Sequence, residues 1–208
     1  MDAFYHLVNA TVISASISYY HWVTKELFSP GWLIITIVLA IVCVLSIVLI
    51  DKSRLREIIL FGFLLAFLFG YTDVIATEYG LWEYKTRVIP VKSSVFPFSY
   101  TMNPIFHVFA YQYSGDWRSF AALNTIVAAL FAFVAHPLFV WADALWLGNW
   151  NYINSFIYLA AVPLGVRAFV IWLADVEAKH AAGSGRTSLF TALNPAMKLL
   201  GDENDREK

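Results

Sequence analysis

Six ionisable residues stand in or beside apolar stretches of this chain: Asp73, Glu78, Glu83, His107, His136 and Asp143. A charged side chain within a bilayer costs about 2.5–3.5 kcal/mol on insertion scales, so each such group requires a partner, water or a task. Imidazole titrates near neutrality and carboxyls shift upward when desolvated, so two histidines among four carboxylates have the chemistry for proton transfer or for holding a divalent ion. Their spacing fits no His-Glu-x-x-His run or other local metal signature. The sequence therefore assigns no metal, names no cofactor and leaves open whether the chain is catalytic. A Gly-rich phosphate loop, a G-x-S-x-G turn and a Ser or Cys beside an evident base are all missing.

Each of these residues also has a plain structural explanation. Asp73 can be a hydrated carboxylate at the membrane interface. Trp82 and Tyr84 suit an aromatic belt, because their rings are apolar with one polar edge. Asn103, His107 and Tyr111 recur every four residues, so on a helix they share one face, and that polar face should point into the bundle. A histidine there is more often hydrogen-bonded to a neighbour than bound to metal. Ala128, Ala132 and His136 share another face, whose small residues allow close helix contact. Arg167 can hold an anionic lipid, pair with an acid or snorkel to the interface. Trp82, Tyr84, Asn103 and Tyr111 are the candidate ligand contacts.

The elements that must position these groups are apolar helices. Of the 208 residues 60% are hydrophobic and 14% charged, against about 45–50% and 25% in ordinary soluble domains. A soluble fold of this size would leave large apolar patches facing water. A bilayer core about 30 Å thick needs about 20 helical residues. Residues 32–50 form such a run, 58–77 a second, 119–141 a fourth and 152–173 a fifth. The third, 98–113, is interrupted by Asn103, Pro104 and His107, which predicts a shortened helix or one packed deep among its neighbours. The expected fold class is all-α, a polytopic transmembrane bundle of about five spans covering 32–173. Residues 1–31 are expected to form an interfacial N-terminal helix or an additional, poorly hydrophobic span. The first twenty residues contain no Lys or Arg, which argues against a cleaved signal peptide.

After Leu173 the composition changes. Gly183-Ser184-Gly185 reads as a joint, Leu189, Leu193, Met197 and Leu200 recur at helical spacing, and Asp202 to Lys208 is a charged tail. Residues 174–208 are expected to be a cytoplasmic linker, a short amphipathic helix and that tail. With five spans, one set of loops carries Lys52, Arg54, Arg56, Arg118, Lys179, Arg186, Lys198, Arg206 and Lys208, and the other only Lys25, Lys85, Arg87 and Lys92. The positive-inside rule then places the amino terminus outside and the carboxyl terminus in the cytoplasm. Asp73, Glu78, Glu83, His136 and Asp143 would converge toward the outer leaflet, with His107 somewhat deeper. The net charge of −1 and dispersed basic residues exclude nucleic acid as a partner. Cys43, the single cysteine, lies in an apolar run and reads as a small buried hydrophobe.

Gly80-Leu81-Trp82-Glu83-Tyr84, Pro90, Pro97, Asn103-Pro104, Tyr111-Gln112-Tyr113 and Trp117-Arg118-Ser119-Phe120 follow in a recognisable order. The order continues through Phe131-Ala132-Phe133, His136-Pro137-Leu138, Trp150-Asn151-Tyr152 and Ser155-Phe156. It resembles an uncharacterised family of small membrane proteins from Bacillus-like and Clostridium-like spore-forming bacteria, which implies a bacterial cytoplasmic membrane and no established activity. Members often carry an acid before the proline matched by Pro137 and another shortly after that matched by Pro97. Here those positions read His136 and Phe98-Ser99-Tyr100. A partial resemblance to the lycopene cyclase membrane fold rests on Asp73, Trp82-x-Tyr84 and the proline-rich approach to the next helix. It implies polyene protonation by glutamates that this chain lacks at the matching place.

Three functions compete. One is recognition of a lipid or membrane partner, including a second copy of the chain, through the aromatic and polar cluster at the outer face. Another is an enzyme acting on an isoprenoid or lipid, with Glu83 or Asp73 as acid and aromatic rings stabilising positive charge. The third is a transporter or channel subunit built around Asn103 and His107 in a broken span.

Overall fold

The computed structural model describes residues 2–90 and 98–184, with side chains placed for 3–90 and 98–180. Among these the chain is helical apart from short connections and one two-stranded ribbon. α1 (Asp2–His21) continues into a π-helical turn, Trp22–Glu26. α2 (Pro30–Leu49) starts where Ser29 caps it, accepting from the Trp32 N–H at 3.2 Å, with Pro30 in the first turn, where its missing N–H costs nothing. Asp51 accepts from the Ser53 N–H at 2.9 Å and shapes the turn into α3 (Leu55–Glu78). β1 is Trp82–Tyr84, and a π turn, Phe98–Met102, leads into α4 (Asn103–Gln112). α5 (Trp117–Leu130) opens with a reciprocal cap between Asp116 and Ser119 and runs through a π turn, Phe131–Ala135, into α6 (His136–Trp141). β2 (Leu145–Leu147) and α7 (Tyr152–Ser184) complete the described chain.

The all-α bundle expected from composition is the architecture found. Four helices among the described residues are long and apolar enough to cross a membrane: Pro30–Leu49, Lys52–Glu78, Trp117–Trp141 and Tyr152–His180. The third expected span is a five-residue π turn and a ten-residue helix, about 22 Å at 1.5 Å per residue against the roughly 30 Å of hydrocarbon. Pro104 starts the regular helix, having no N–H to give to a preceding turn. α4 survives because its neighbours enclose it: Asn103, Pro104, His107, Ala110 and Tyr111 are all buried. α1 has twenty residues but is not among the four, since Asn9, Thr11, Ser14, Ser16 and Ser18 interrupt its apolar character.

The core is made by α3, α4, α5 and α7. Phe61, Leu65 and Phe69 from α3 meet Ala110 and Tyr111, Phe120 and Ala128, and Leu159, Val166 and Val170. Phe61 stacks on Tyr111 at 4.2 Å between ring centroids and meets Phe120 edge-on at 6.0 Å. α2 leans on this core through Leu39, against Phe98 and Met102, and leaves most of its apolar surface outward, as lipid permits. α7 carries the composition change after Leu173 inside one continuous helix to Ser184, because a helix need not end where it leaves the hydrocarbon. The expected amphipathic helix around Leu189–Leu200 and the charged tail lie outside the described residues.

The ribbon was not foreseen. β1 pairs antiparallel with β2 in the register Trp82 with Leu147, Glu83 with Trp146 and Tyr84 with Leu145. Lys85 N–H to the Ala144 carbonyl and Gly148 N–H to the Leu81 carbonyl, both 2.9 Å, extend it. A Cβ on Gly148 would stand 2.3 Å from the Gly80 carbonyl oxygen, so the strand end requires glycine.

Candidate functional site

Side chains alternate faces along a strand, so Trp82 and Tyr84 point one way and Glu83 the other. Together with Leu145 and Leu147, Trp82 and Tyr84 roof a cavity at the end of the bundle whose floor is Phe69, Asp73, Asn103, His136, Tyr158 and Leu159. Ser99 closes one side and Trp150 and Ser155 another. The π turn can bring Ser99 this close because Gly70 has no side chain: a Cβ there would overlap the Tyr100 ring at 2.1 Å. The π turn before α6 inserts an extra residue, with the His136 N–H bonding the Phe131 carbonyl, and so re-aims the imidazole relative to a regular helix.

Asp73 is 1% exposed. Its Oδ1 accepts from the Trp82 indole N–H at 2.5 Å, while Oδ2 has no hydrogen-bond partner among the described residues, although the Ser99 hydroxyl is its neighbour. Asn103 Oδ1 and His136 Nδ1 are likewise buried and unpartnered among the described residues. Burial raises the Tyr84 phenol well above its ordinary range, the Asp73 charge adds to this, and the Ser99 hydroxyl opposes it. Trp150 donates to the Ser155 hydroxyl at 2.9 Å, and its ring meets Trp82 edge-on at 5.0 Å. Tyr84 stacks on Phe98 at 5.7 Å, and Tyr158 meets Phe69 at 5.5 Å.

The cavity is about 40 Å³. A buried water needs roughly 10–15 Å³ of such space, so the site takes a hydroxyl, an ammonium or a few waters, not a ring or a length of polyene. Two of its unpartnered atoms, the Asp73 and Asn103 oxygens, are acceptors, which makes a hydrogen-bond donor the fitting guest. Among the described residues no group of three His, Cys, Asp or Glu side chains is placed to share a metal ion.

Of the residues picked out by sequence, Asp73, Trp82, Tyr84, Asn103 and His136 meet at this cavity. His107 sits one turn along α4 from Asn103, fully buried, its ring 5.7 Å from Phe69 and beside Asn124. Neither of its ring nitrogens has a hydrogen-bond partner among the described residues. Glu78 is exposed at the end of α3. Glu83 and Asp143 line a separate open groove of about 690 Å³ with His21, Lys25, Glu26, Lys85 and Arg87. Lys85 pairs with Asp143 there. Glu26 and Arg87 form a buried pair, Nη2 to Oε1 at 2.5 Å and the Arg87 N–H to Oε2 at 2.8 Å. Burial pushes the Glu26 carboxyl up, but Arg87 and His21 together outweigh it and hold it below the ordinary carboxylate value. Arg87 also donates to Ser18, which ties α1 to the chain after β1.

Tyr111 lies at the opposite end of the bundle. It donates to Glu57, which also accepts from Arg54 at 2.9 and 3.2 Å. Arg167 is 5% exposed and donates to the Ser114 hydroxyl at 2.8 Å. Its guanidinium stands over Phe120, Trp117 and Tyr111 at 4.6, 5.1 and 5.3 Å, and no acid forms a salt bridge with it among the described residues.

Sequence reasoning missed Ser99, Trp150, Ser155 and Tyr158. Trp150 and Ser155 belong to the motifs that carry the family resemblance, and Ser99 follows the proline after which that family carries an acid; Tyr158 has no signal beyond polarity in an apolar run. Set against protein-family models, characterised proteins and solved structures, the chain matches none of them.

Proposed function

We propose that this chain is a lipid-recognising membrane protein that takes the polar end of a membrane lipid into the cavity between Asp73, Asn103 and His136. The observation that carries this reading is three buried polar atoms around one cavity, Asp73 Oδ2, Asn103 Oδ1 and His136 Nδ1, each without a partner among the described residues. A buried acceptor left unmade costs about 1–3 kcal/mol, which a donating guest recovers. The aromatic roof fits the interface depth at which a headgroup arrives. The positive-inside count orients this end outward in a bacterial cytoplasmic membrane, with the carboxyl terminus in the cytoplasm. The resemblance to the spore-former family is consistent with this reading: Ser99 and His136, near the prolines where that family carries acids, both border this cavity.

The test is the lipid that remains with the purified protein, identified by mass spectrometry against the lipid average of the same membranes. One lipid class should be enriched several-fold on the wild type and lost from Trp82→Ala and His136→Ala. Retention unchanged in both variants at wild-type folding abandons the assignment.

The free Asp73 oxygen in a cavity bordered by Phe69, Trp82, Tyr84, Trp150 and Tyr158 also favours a second reading, an acid acting on the terminal group of an isoprenoid, the only part small enough to enter. Asp73, rather than Glu83 on the far face of β1, would then be the proton donor. Lipid extracts of cells with and without the protein should differ, and an identical profile at good expression counts against it.

A further inference from the structure

A second hollow lies on the flank of the bundle, between α3 and α7. It measures about 480 Å³ and is lined by Leu64, Phe67 and Leu68 on one side and Val162, Gly165 and Phe169 on the other. Both helices are among the four long apolar ones, so the medium facing this groove is hydrocarbon. Phe67 and Phe169 stand at its rims, 56% and 46% exposed. Gly165 makes its floor, where an added Cβ would meet nothing within 4 Å.

One hydrogen bond links a lining residue of the groove to a lining residue of the Asp73 cavity. The Tyr158 hydroxyl donates to the Leu68 carbonyl at 3.3 Å; Tyr158 lines the cavity and Leu68 lines the groove. Leu64 and Asp73 lie nine residues apart on α3, about 14 Å along the axis, or about half the hydrocarbon thickness. From Asp73 the groove therefore runs toward the middle of the membrane. We infer that the ligand is a lipid with a single hydrocarbon chain ending in a hydroxyl, its chain lying in the α3–α7 groove and its hydroxyl reaching Asp73 and Asn103 past Tyr158.

This rests on the lipid-recognition reading and adds the chain, the hydroxyl and the side entrance to it. A neutral donor fits the two free acceptor oxygens, and a single chain fits an apolar groove of about 480 Å³ whose lining residue Leu68 is hydrogen-bonded to Tyr158 of the cavity. Ala161 and Gly165 are spaced as in small-xxx-small helix contacts. The exposed Phe67 and Phe169 beside them are bulky, however, where closely packed helices favour small residues.

The experiment measures binding to the full chain in detergent micelles of four probes: oleyl alcohol and its methyl ether, and geranylgeraniol and its methyl ether. Wild type should bind at least one alcohol saturably and more tightly than its ether, and the two alcohols separate straight-chain from isoprenoid lipids. Gly165→Leu fills the floor in a position with free space and replaces glycine by a better helix former. It should weaken alcohol and ether alike by about tenfold, the loss of roughly two methylenes of burial, and preserve the preference for the alcohol. Ala161→Phe should act in the same direction from the neighbouring turn. Asp73→Asn keeps the Trp82 bond but turns the free acceptor into a donor, and should abolish the preference.

Undiminished binding in both groove variants, with the alcohol still preferred, overturns the groove and leaves the cavity reading standing. Equal binding of alcohol and ether by wild type overturns both. Conversion of a dimer to a monomer by Gly165→Leu, with alcohol binding intact, assigns the groove to a second copy of the chain and overturns the lipid proposal.

Discussion

α3 carries a buried acid near each of its ends, and the two are treated in opposite ways. Glu57 accepts from the Arg54 guanidinium twice and from the Tyr111 hydroxyl. The neighbouring Arg167 donates to Ser114 through Nη1 and stands over three aromatic rings, with its Nε left without a hydrogen-bond partner among the described residues. Asp73 has one donor, the Trp82 indole, and turns its other oxygen toward a cavity bordered by further unpartnered polar atoms. Burial alone, therefore, does not distinguish the two acids. The difference is that Asp73 keeps an oxygen without a hydrogen-bond partner among the described residues, beside space.

The sharpest way to break the comparison is at the closed end. Glu57→Leu leaves the Arg54 guanidinium and the Tyr111 hydroxyl without their acceptor in a half-apolar setting, and removing one member of a buried pair costs about 3–5 kcal/mol. With Arg54 able to reach water from the first turn of the helix, the expected loss is near the lower figure, read as a large fall in Tm in detergent. Lipid retention by the molecules still folded should be unchanged. A Tm within a degree or two of wild type would remove the distinction between the two ends.

How much of this was legible in the sequence differs between the same two ends. Asp73, Trp82, Tyr84, Asn103 and His136 were all visible as polar or aromatic intrusions in apolar runs, and their meeting followed from antiparallel spans of similar length. Tyr111 shares a helix face with Asn103, but the eight residues between them carry it about 12 Å down the axis to the opposite cluster, so a shared face was not a shared site. Glu83 stands between Trp82 and Tyr84 in the sequence, which by itself does not separate it from them. Its pairing with Leu145–Leu147 depends on a contact sixty residues away, and strand alternation then turns Glu83 outward. Arg54 counts in the sequence only as a loop cation, and nothing local signals that Glu57 and Tyr111 come to meet it. The flank groove depends on which faces of α3 and α7 meet, which no single run of residues records.

A smaller effect sharpens the comparison within the open end itself, where Glu26 and Arg87 form a closed cluster close to the unspent one. The Glu26 carboxyl lies below its ordinary value of 4.5 in the folded chain. Its contribution to stability is accordingly complete above that value and is lost as pH falls through the lower folded one. Lowering pH from neutral should leave Tm flat at first and then reduce it below about 4.5, and Glu26→Gln should remove part of that slope while lowering Tm at neutral pH. A slope that is identical in the variant would show that the Arg87 cluster does not act as a closed structural pair.

The smallest expected effect on stability belongs to the position on which the proposed ligand depends. Asp73→Asn preserves the acceptor for the Trp82 indole and most of the side-chain shape, and it introduces an amide where an oxygen faced the cavity. Only the unspent half of the group changes, so no existing hydrogen bond is given up. The expected shift is within about 1 kcal/mol of wild type, the net size of one ordinary hydrogen bond, while the preference for a hydroxyl over an ether disappears. At Glu57 the order is reversed, with a large loss of stability and no change in ligand. If Asp73→Asn instead unfolded the protein as Glu57→Leu does, the free oxygen would have to be counted as part of the packing at that end, and the case for a guest in the cavity would fail with it.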